Sequence, residues 1–249
     1  MRNKLNSQNF SEIYSTQRQK EDKETVWVYY VTRKISFWIT PFFLKLGISA
    51  NQASFITIIT GIVAAILIMI GDYWIVLAGA ILMQFWLILD SIDGNIARYR
   101  KTFTSFGKFL EELDGTIMSA LFFSSIGVAA SGIPGFIPFS IDIPSYWFII
   151  LGIITSFSVI FRHLISRHFQ AIFFQNKEFR NESLFELGFL PNFYRSAIKF
   201  LGIYSLAQPL LILAVIFNFL GLYTIVYFLM DIVGMFVNIT LIILKAKKE

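Results

Sequence analysis

The stretch WLILDSIDGNIARYRKTFTSFGKFLEELDG, residues 86–115, decides how the rest of the chain is read. An apolar helical run leads straight into Asp90, Asp93, Gly94, Ala97 and Arg98. After a short polar break come Gly107, Glu111 and Asp114. On a helix turning about 100° per residue, Asp90, Asp93, Gly94 and Ala97 share one face, with Arg98 at its margin. Glu111 and Asp114 repeat the i, i+3 spacing of Asp90 and Asp93. Two such helices, antiparallel across a tight connection, direct four carboxylates into one cleft. Carboxylates crowded in a low dielectric stay ionised only with a cation among them. Oxygen-only ligands suit a hard divalent ion, Mg²⁺ or Mn²⁺. Gly94 and Gly107 remove side chains where a ligand or a neighbouring helix needs close approach. Reading the acids as solvated helix ends leaves the repeated spacing and both glycines without a reason.

Outward from this stretch the chain is apolar. Its 249 residues are 56% hydrophobic, with a mean hydropathy of +0.65 and 28 phenylalanines. A soluble domain of that make-up would expose large apolar patches, so the expectation is an all-α polytopic membrane protein. The absence of cysteine excludes disulfides, zinc–thiolate sites and thiol catalysis. Two histidines are too few for a histidine-rich metal centre.

Taken in order, residues 1–25 are polar and charged and are expected to form a flexible N-terminus without a cleavable signal. Residues 26–46 interleave Trp27, Tyr29, Tyr30, Phe37, Trp38, Phe42 and Phe43 with Arg33, Lys34 and Lys45. Pro41 is expected to break any helix there, so this reads as an amphipathic segment lying at the membrane interface. The remaining residues, 47–249, are expected to form a six-helix transmembrane catalytic domain. Its spans are placed near 47–70, 74–98, 105–130, 146–168, 206–220 and 223–244, at roughly 20 residues per crossing. Ser49 and Asn51 are N-cap candidates for the first span. Gly71-Asp72-Tyr73 is a turn, the proline-rich 131–145 a loop, and 170–204 a polar, basic connection.

All 21 lysines and arginines fall on one side of this arrangement. Eight precede the first span, four lie around the junction of the second and third, six follow from the end of the fourth, and three close the chain. By the positive-inside rule both termini and the acid-bearing junction are cytoplasmic, at a plasma (inner) membrane. Basic residues flanking apolar spans match anionic headgroups and phosphate-bearing substrates, membrane lipids included, and not nucleic acid.

The residues Asp90-x2-Asp93-Gly94-x2-Ala97-Arg98-x8-Gly107-x3-Glu111 resemble the signature of the CDP-alcohol phosphatidyltransferases, D-x2-D-G-x2-A-R-x8-G-x3-D-x3-D. Ser49 to Ser54 is similar to the T-P-N-x-x-T that precedes the first span in that family. Glu111 replaces the third aspartate, and the fourth acid position falls on Gly115, with Asp114 beside it. The resemblance implies a metal-dependent transferase of phospholipid biosynthesis. A CDP-linked alcohol, CDP-diacylglycerol first among them, donates a substituted phosphate to a small alcohol or alcohol phosphate, and CMP is released. It implies Asp90, Asp93 and Glu111 as metal ligands, and Asp114 as the base and a further ligand. Gly94, Ala97 and Gly107 would line the nucleotide pocket, Arg98 would support a phosphate or an acid, and Asn51 and Ser54 would contact substrate. Homodimers are usual in the family.

Other candidates are an acid inside the last span, Asp231, read as a buried partner for a polar group or as part of the site. His163 and His168, with Arg162, Arg167, Arg195 and Lys199, read as headgroup contacts or as binders of an acceptor phosphate. Two rival readings are an ion-coupled transporter, which would place acids near mid-membrane, and a family member that binds without catalysing.

Overall fold

A computed structural model describes residues 23, 25–138, 143–173 and 200–247. Almost all of the flexible N-terminus expected over 1–25, and most of the basic 170–204 connection with Arg195 and Lys199, lie outside the described residues. Those described are helical, with no strand among them. In a bilayer no water satisfies the backbone, so each segment bonds its own amides and carbonyls.

A π-helical stretch, Val28–Thr32, leads into α1, Arg33–Lys45. Pro41 lies inside α1 and does not end it, which corrects the expected break. A single backbone bond is forfeited at a proline. The Ser36 and Thr40 hydroxyls on the preceding turns bond the carbonyls of Arg33 and Ser36 at 2.8 and 2.6 Å. The polar side of α1 is the buried one: Arg33, Ser36 and Thr40 face the protein, while Trp38 is 78% exposed and Phe42 faces outward beside it. That inversion is what an apolar surrounding selects.

Ser49 caps α2, Ala50–Met69, through a reciprocal capping box with Gln52. Asn51 is therefore inside the helix and not its cap. Gly71, at φ +77°, turns the chain, and the Asp72 carboxylate caps α3, Tyr73–Arg100. Thr104 caps α4, Ser105–Gly132, and beyond the loop come α5, Ser145–Phe173, α6, Ala207–Ile216, and α7, Leu220–Ala246.

Five of these helices (α2, α3, α4, α5 and α7) are long and apolar enough to cross a membrane, so the protein has the all-α polytopic architecture expected. The sixth expected span is shorter. With 10 residues, α6 rises only about 15 Å against a hydrocarbon core of about 30 Å. It begins after a turn at 202–206 and ends at Asn218, whose φ of +56° stops the helix.

The spans pack in a connected sequence: α2 against α3 and α4, α4 against α5, α5 against α7, and α6 against α3 and α7. Trp86, Met83, Ile68, Met118, Phe122 and Ile126, none of them exposed, fill the centre. Where α4 crosses α5, Gly127 faces Gly152. A Cβ added at Gly127 would lie 2.5 Å from the Phe148 carbonyl oxygen, so this close crossing requires glycine. Three residues earlier, the Ser124 hydroxyl donates to Ser156 Oγ at 3.0 Å across the same interface.

Candidate active site

The site is built by the short connection between α3 and α4. Lys101 adopts a left-handed φ of +55° just past the end of α3. The Thr102 amide then donates back to the Ala97 carbonyl at 3.0 Å, closing the helix end. Two residues on, Thr104 Oγ1 accepts from the Gly107 amide at 3.0 Å and opens α4. The C-terminal end of one acid-bearing helix is thus held beside the N-terminal end of the other.

Between them lies a cavity of about 480 Å³. From α3 it is lined by Asp90, Asp93, Gly94, Ala97 and Arg98, and from α4 by Gly107, Lys108 and Glu111. Helix α2 contributes Asn51 and Ser54, and α1 contributes Arg33. Ser54 Oγ donates to Asp93 Oδ2 at 2.6 Å, tying α2 to α3 at the acid cluster. A Cβ at Gly107 would sit 3.2 Å from Asn51 Oδ1, so the glycine lets α4 approach α2. A Cβ at Gly94 would meet the Arg98 guanidinium at 3.1 Å.

Arg98 is itself held. Its Nη2 donates to Asn95 Oδ1 at 2.9 Å, and Asn95 Nδ2 donates to Ser36 Oγ at 3.0 Å and Thr40 Oγ1 at 3.1 Å. The buried polar face of α1 therefore orients an arginine on the cavity wall through one buried amide. The cavity carries three carboxylates, of Asp90, Asp93 and Glu111, and three basic groups, of Arg33, Arg98 and Lys108. A wall of that kind suits a cation and a phosphate anion bound together.

Asp114 stands apart from the other three acids. It is 3% exposed, does not line the acid cavity, and both its carboxylate oxygens accept from Trp86 Nε1 at 3.1 Å. The convergence of four carboxylates expected from spacing is thus three on the cavity and one behind its wall. The reason is angular: a step of three residues on α4 carries Asp114 toward Trp86 of α3, away from the opening. Beside it, Tyr204 packs its ring on Trp86 with centroids 5.5 Å apart. A Cβ added at Gly115 would lie 3.3 Å from the Tyr204 hydroxyl. Burial foremost, then the charges of Asp90, Asp114 and Glu111, push the Tyr204 phenol well above its ordinary pKa.

A second cavity, about 310 Å³, adjoins the first, and Glu111 lines both. Its wall includes Gly115, Thr116, Ser119, His163 and Tyr204, with Arg167 ion-paired to Glu112 at its edge. His163 and Arg167 therefore face a cavity as well as the surface. Arg162 does not reach out to headgroups; it is buried and bonds Asp231 Oδ1 at 2.8 Å, joining α5 to α7. Asp231 is thereby a partnered buried acid, away from the acid cavity. His168 Nδ1 lies 2.9 Å from the Leu164 carbonyl oxygen on its own helix.

Sequence reasoning did not single out Arg33, Trp86, Asn95, Lys108 or Tyr204. Arg33 looked like one interfacial base among three. A polar side of α1 at i, i+3 and i+7, Arg33, Ser36 and Thr40, was the one signal that could have pointed inward.

Among the described residues, no three acidic or histidine side chains converge closely enough to hold a metal ion between them. The donors nevertheless fit a hard divalent ion in kind: all are oxygens, three are carboxylates on one cavity, and Ser54 holds Asp93 facing it. No curated protein matches the chain. The family model described as CDP-alcohol phosphatidyltransferase matches residues 48–237, which include every acid of the site and all five long helices over most of their length. The chain therefore belongs to the CDP-alcohol phosphatidyltransferase family, whose members are phosphotransferases acting between a CDP-alcohol and an acceptor alcohol.

Proposed function

We propose that this protein transfers a substituted phosphate from a CDP-linked alcohol, CDP-diacylglycerol being the first donor to test, to an acceptor hydroxyl with release of CMP. The observation that carries the reading is the cavity that brings Asp90, Asp93 and Glu111 together with Arg33, Arg98 and Lys108. A diphosphate needs basic groups for its oxygens, and its metal counter-ion needs the carboxylates. Asp90, Asp93 and Glu111 would hold Mg²⁺ or Mn²⁺, which supplies charge neutralisation of the diphosphate and a better leaving group. Arg98, fixed through Asn95, and Arg33 bind and orient phosphate oxygens. Gly94, Ala97 and Gly107 leave the space for the nucleotide, with Asn51 and Ser54 on the opposing wall.

The acceptor alcohol occupies the adjoining cavity. Glu111 lines both cavities, so the two substrates meet beside it. Asp114 lines neither cavity, so proton acceptance by its carboxylate, oriented by the Trp86 indole, requires the acceptor hydroxyl to reach it past Gly115, which does line the acceptor cavity. The site opens at the cytoplasmic face of a plasma membrane, the side to which the basic residues point, and the product is a phospholipid.

The test is purified protein with Mn²⁺, CDP-diacylglycerol and, as acceptors, a series of small alcohols and alcohol phosphates beginning with glycerol and glycerol 3-phosphate. CMP release that requires both an acceptor and the metal is the expected result. Binding of the donor without CMP release from any pair would place the chain among non-catalytic members.

A further inference from the structure

We propose that Tyr204 is a positioning residue for the acceptor alcohol, its hydroxyl occupying the space that a side chain at position 115 would take. This rests on the transferase reading above and adds a residue that lies outside the acid motif.

The turn carrying Tyr204 is held from both ends. Tyr227 of α7 donates its hydroxyl to the Leu201 carbonyl at 3.0 Å, and Tyr223 donates to the Ala207 carbonyl at 2.9 Å. Within the turn, the Ser205 amide bonds the Gly202 carbonyl at 2.9 Å. Two tyrosines one helical turn apart thus clamp residues 201–207 against the last helix, and the Tyr204 ring is seated on Trp86. This anchoring fixes where the hydroxyl points.

That hydroxyl lies against Gly115, the residue after Asp114, at the distance of 3.3 Å from a would-be Cβ. Asp114 is in turn fixed by Trp86, the ring on which Tyr204 sits. Three groups from three parts of the chain are therefore registered to one another, with Tyr204 and Gly115 on the wall of the acceptor cavity and Asp114 and Trp86 behind it. Tyr204 lines this cavity of about 310 Å³ and also the neighbouring one of about 190 Å³ that reaches the Arg162–Asp231 pair. It does not line the acid cavity. Its contact is consequently with the acceptor and not with the nucleotide. A neutral phenol both donates and accepts. It is therefore able to hold an alcohol oxygen beside Glu111 while the alcohol's proton is directed at a carboxylate. No covalent step passes through Tyr204.

The experiment compares wild type, Tyr204→Phe, Gly115→Ala and the double variant, using CDP-diacylglycerol and the acceptor that gives the fastest CMP release with wild type. Phenylalanine keeps the ring on Trp86 and removes only the hydroxyl. Expected is a rise of about tenfold in acceptor KM/kcat for Tyr204→Phe, with donor KM unchanged and thermal unfolding close to wild type. Gly115→Ala crowds the hydroxyl, which must give by a few tenths of an ångström, and shows an acceptor-side loss of the same kind. In the Tyr204→Phe background the alanine costs little more, because the atom it crowds is already gone. Acceptor and donor constants that change together, or additive losses in the double variant, overturn the inference. Acceptor constants within about twofold of wild type in both single variants overturn it as well, while the transferase reading stands. Absence of CMP release by wild type with every acceptor overturns that reading, and this inference with it.

Discussion

The indole nitrogen of Trp86 donates to both carboxylate oxygens of Asp114 at 3.1 Å, so the acid next to the vacant family position is buried and oriented by an aromatic residue of the facing helix. If Asp114 takes the acceptor's proton, Asp114→Asn lowers kcat by about 10²-fold or more, the range for losing a general base. Donor KM stays near wild type, because Asp114 does not line the donor cavity. Trp86→Phe, which keeps a ring against Tyr204 and removes the donor, gives a smaller fall in kcat. Normal turnover by Asp114→Asn would transfer the base role elsewhere, Glu112 being the first residue to examine.

The Asp93 carboxylate accepts from Ser54 Oγ at 2.6 Å. Asp93→Asn is expected to abolish CMP release while the protein still inserts and unfolds cooperatively. Ser54→Ala keeps the carboxylate and loses one charge-assisted hydrogen bond, worth about 1.5–3 kcal/mol. Its activity should therefore recover at raised Mn²⁺, whereas that of Asp93→Asn should not. A Mn²⁺ titration of CMP release separates the two, and undiminished release from Asp93→Asn rules out the metal assignment.

Arg33 reaches the donor cavity from α1 although only 4% of it is exposed. Arg33→Gln is expected to raise donor KM about tenfold with little change in kcat, the pattern of an interaction made equally in ground and transition states. Asn95→Ala should show a related effect, since it removes one bond to the Arg98 guanidinium and the link through it to Ser36 and Thr40. Steady-state kinetics at saturating acceptor measures both.

Arg162 and Asp231 form a buried ion pair that ties α5 to α7. Removing the Asp231 carboxylate takes the acid out of a buried ion pair, so Asp231→Leu should destabilise the protein by about 3–5 kcal/mol. Replacing both, Arg162→Met with Asp231→Leu, should recover most of that loss. Thermal unfolding in detergent of the two single variants and the double variant measures the coupling; additive losses would mean that the pair contributes nothing as a pair.

The distribution of lysine and arginine predicts the orientation. A reporter fused after Glu249 should be cytoplasmic, and one inserted within 133–138, the loop after α4, should be external. Both reporters on one side would overturn the orientation.

Much of this was legible in the chain itself. Length and hydropathy dictate a membrane bundle, because no soluble arrangement hides so many apolar side chains. Gly71-Asp72 and Ser49 mark helix ends by local chemistry, and the bounds follow to within a few residues. Asp90, Asp93, Gly94, Ala97 and Arg98 share a wall because helical periodicity alone puts them there. Periodicity is a local property, and the sequence carries it complete.

What needed the tertiary structure are the relationships between elements far apart in sequence. Whether α1 turns its apolar or its polar side inward depends on the surroundings: in lipid, Ser36 and Thr40 face Asn95 and Trp38 faces out. The same i, i+3 step that unites Asp90 and Asp93 on one cavity carries Asp114 away from Glu111, because on α4 that step faces Trp86 of α3. Tyr204 comes to Gly115 across 89 residues of chain, held there by hydroxyls of the last helix. Contacts of that separation are chosen by packing as a whole, and no local pattern in the sequence encodes them.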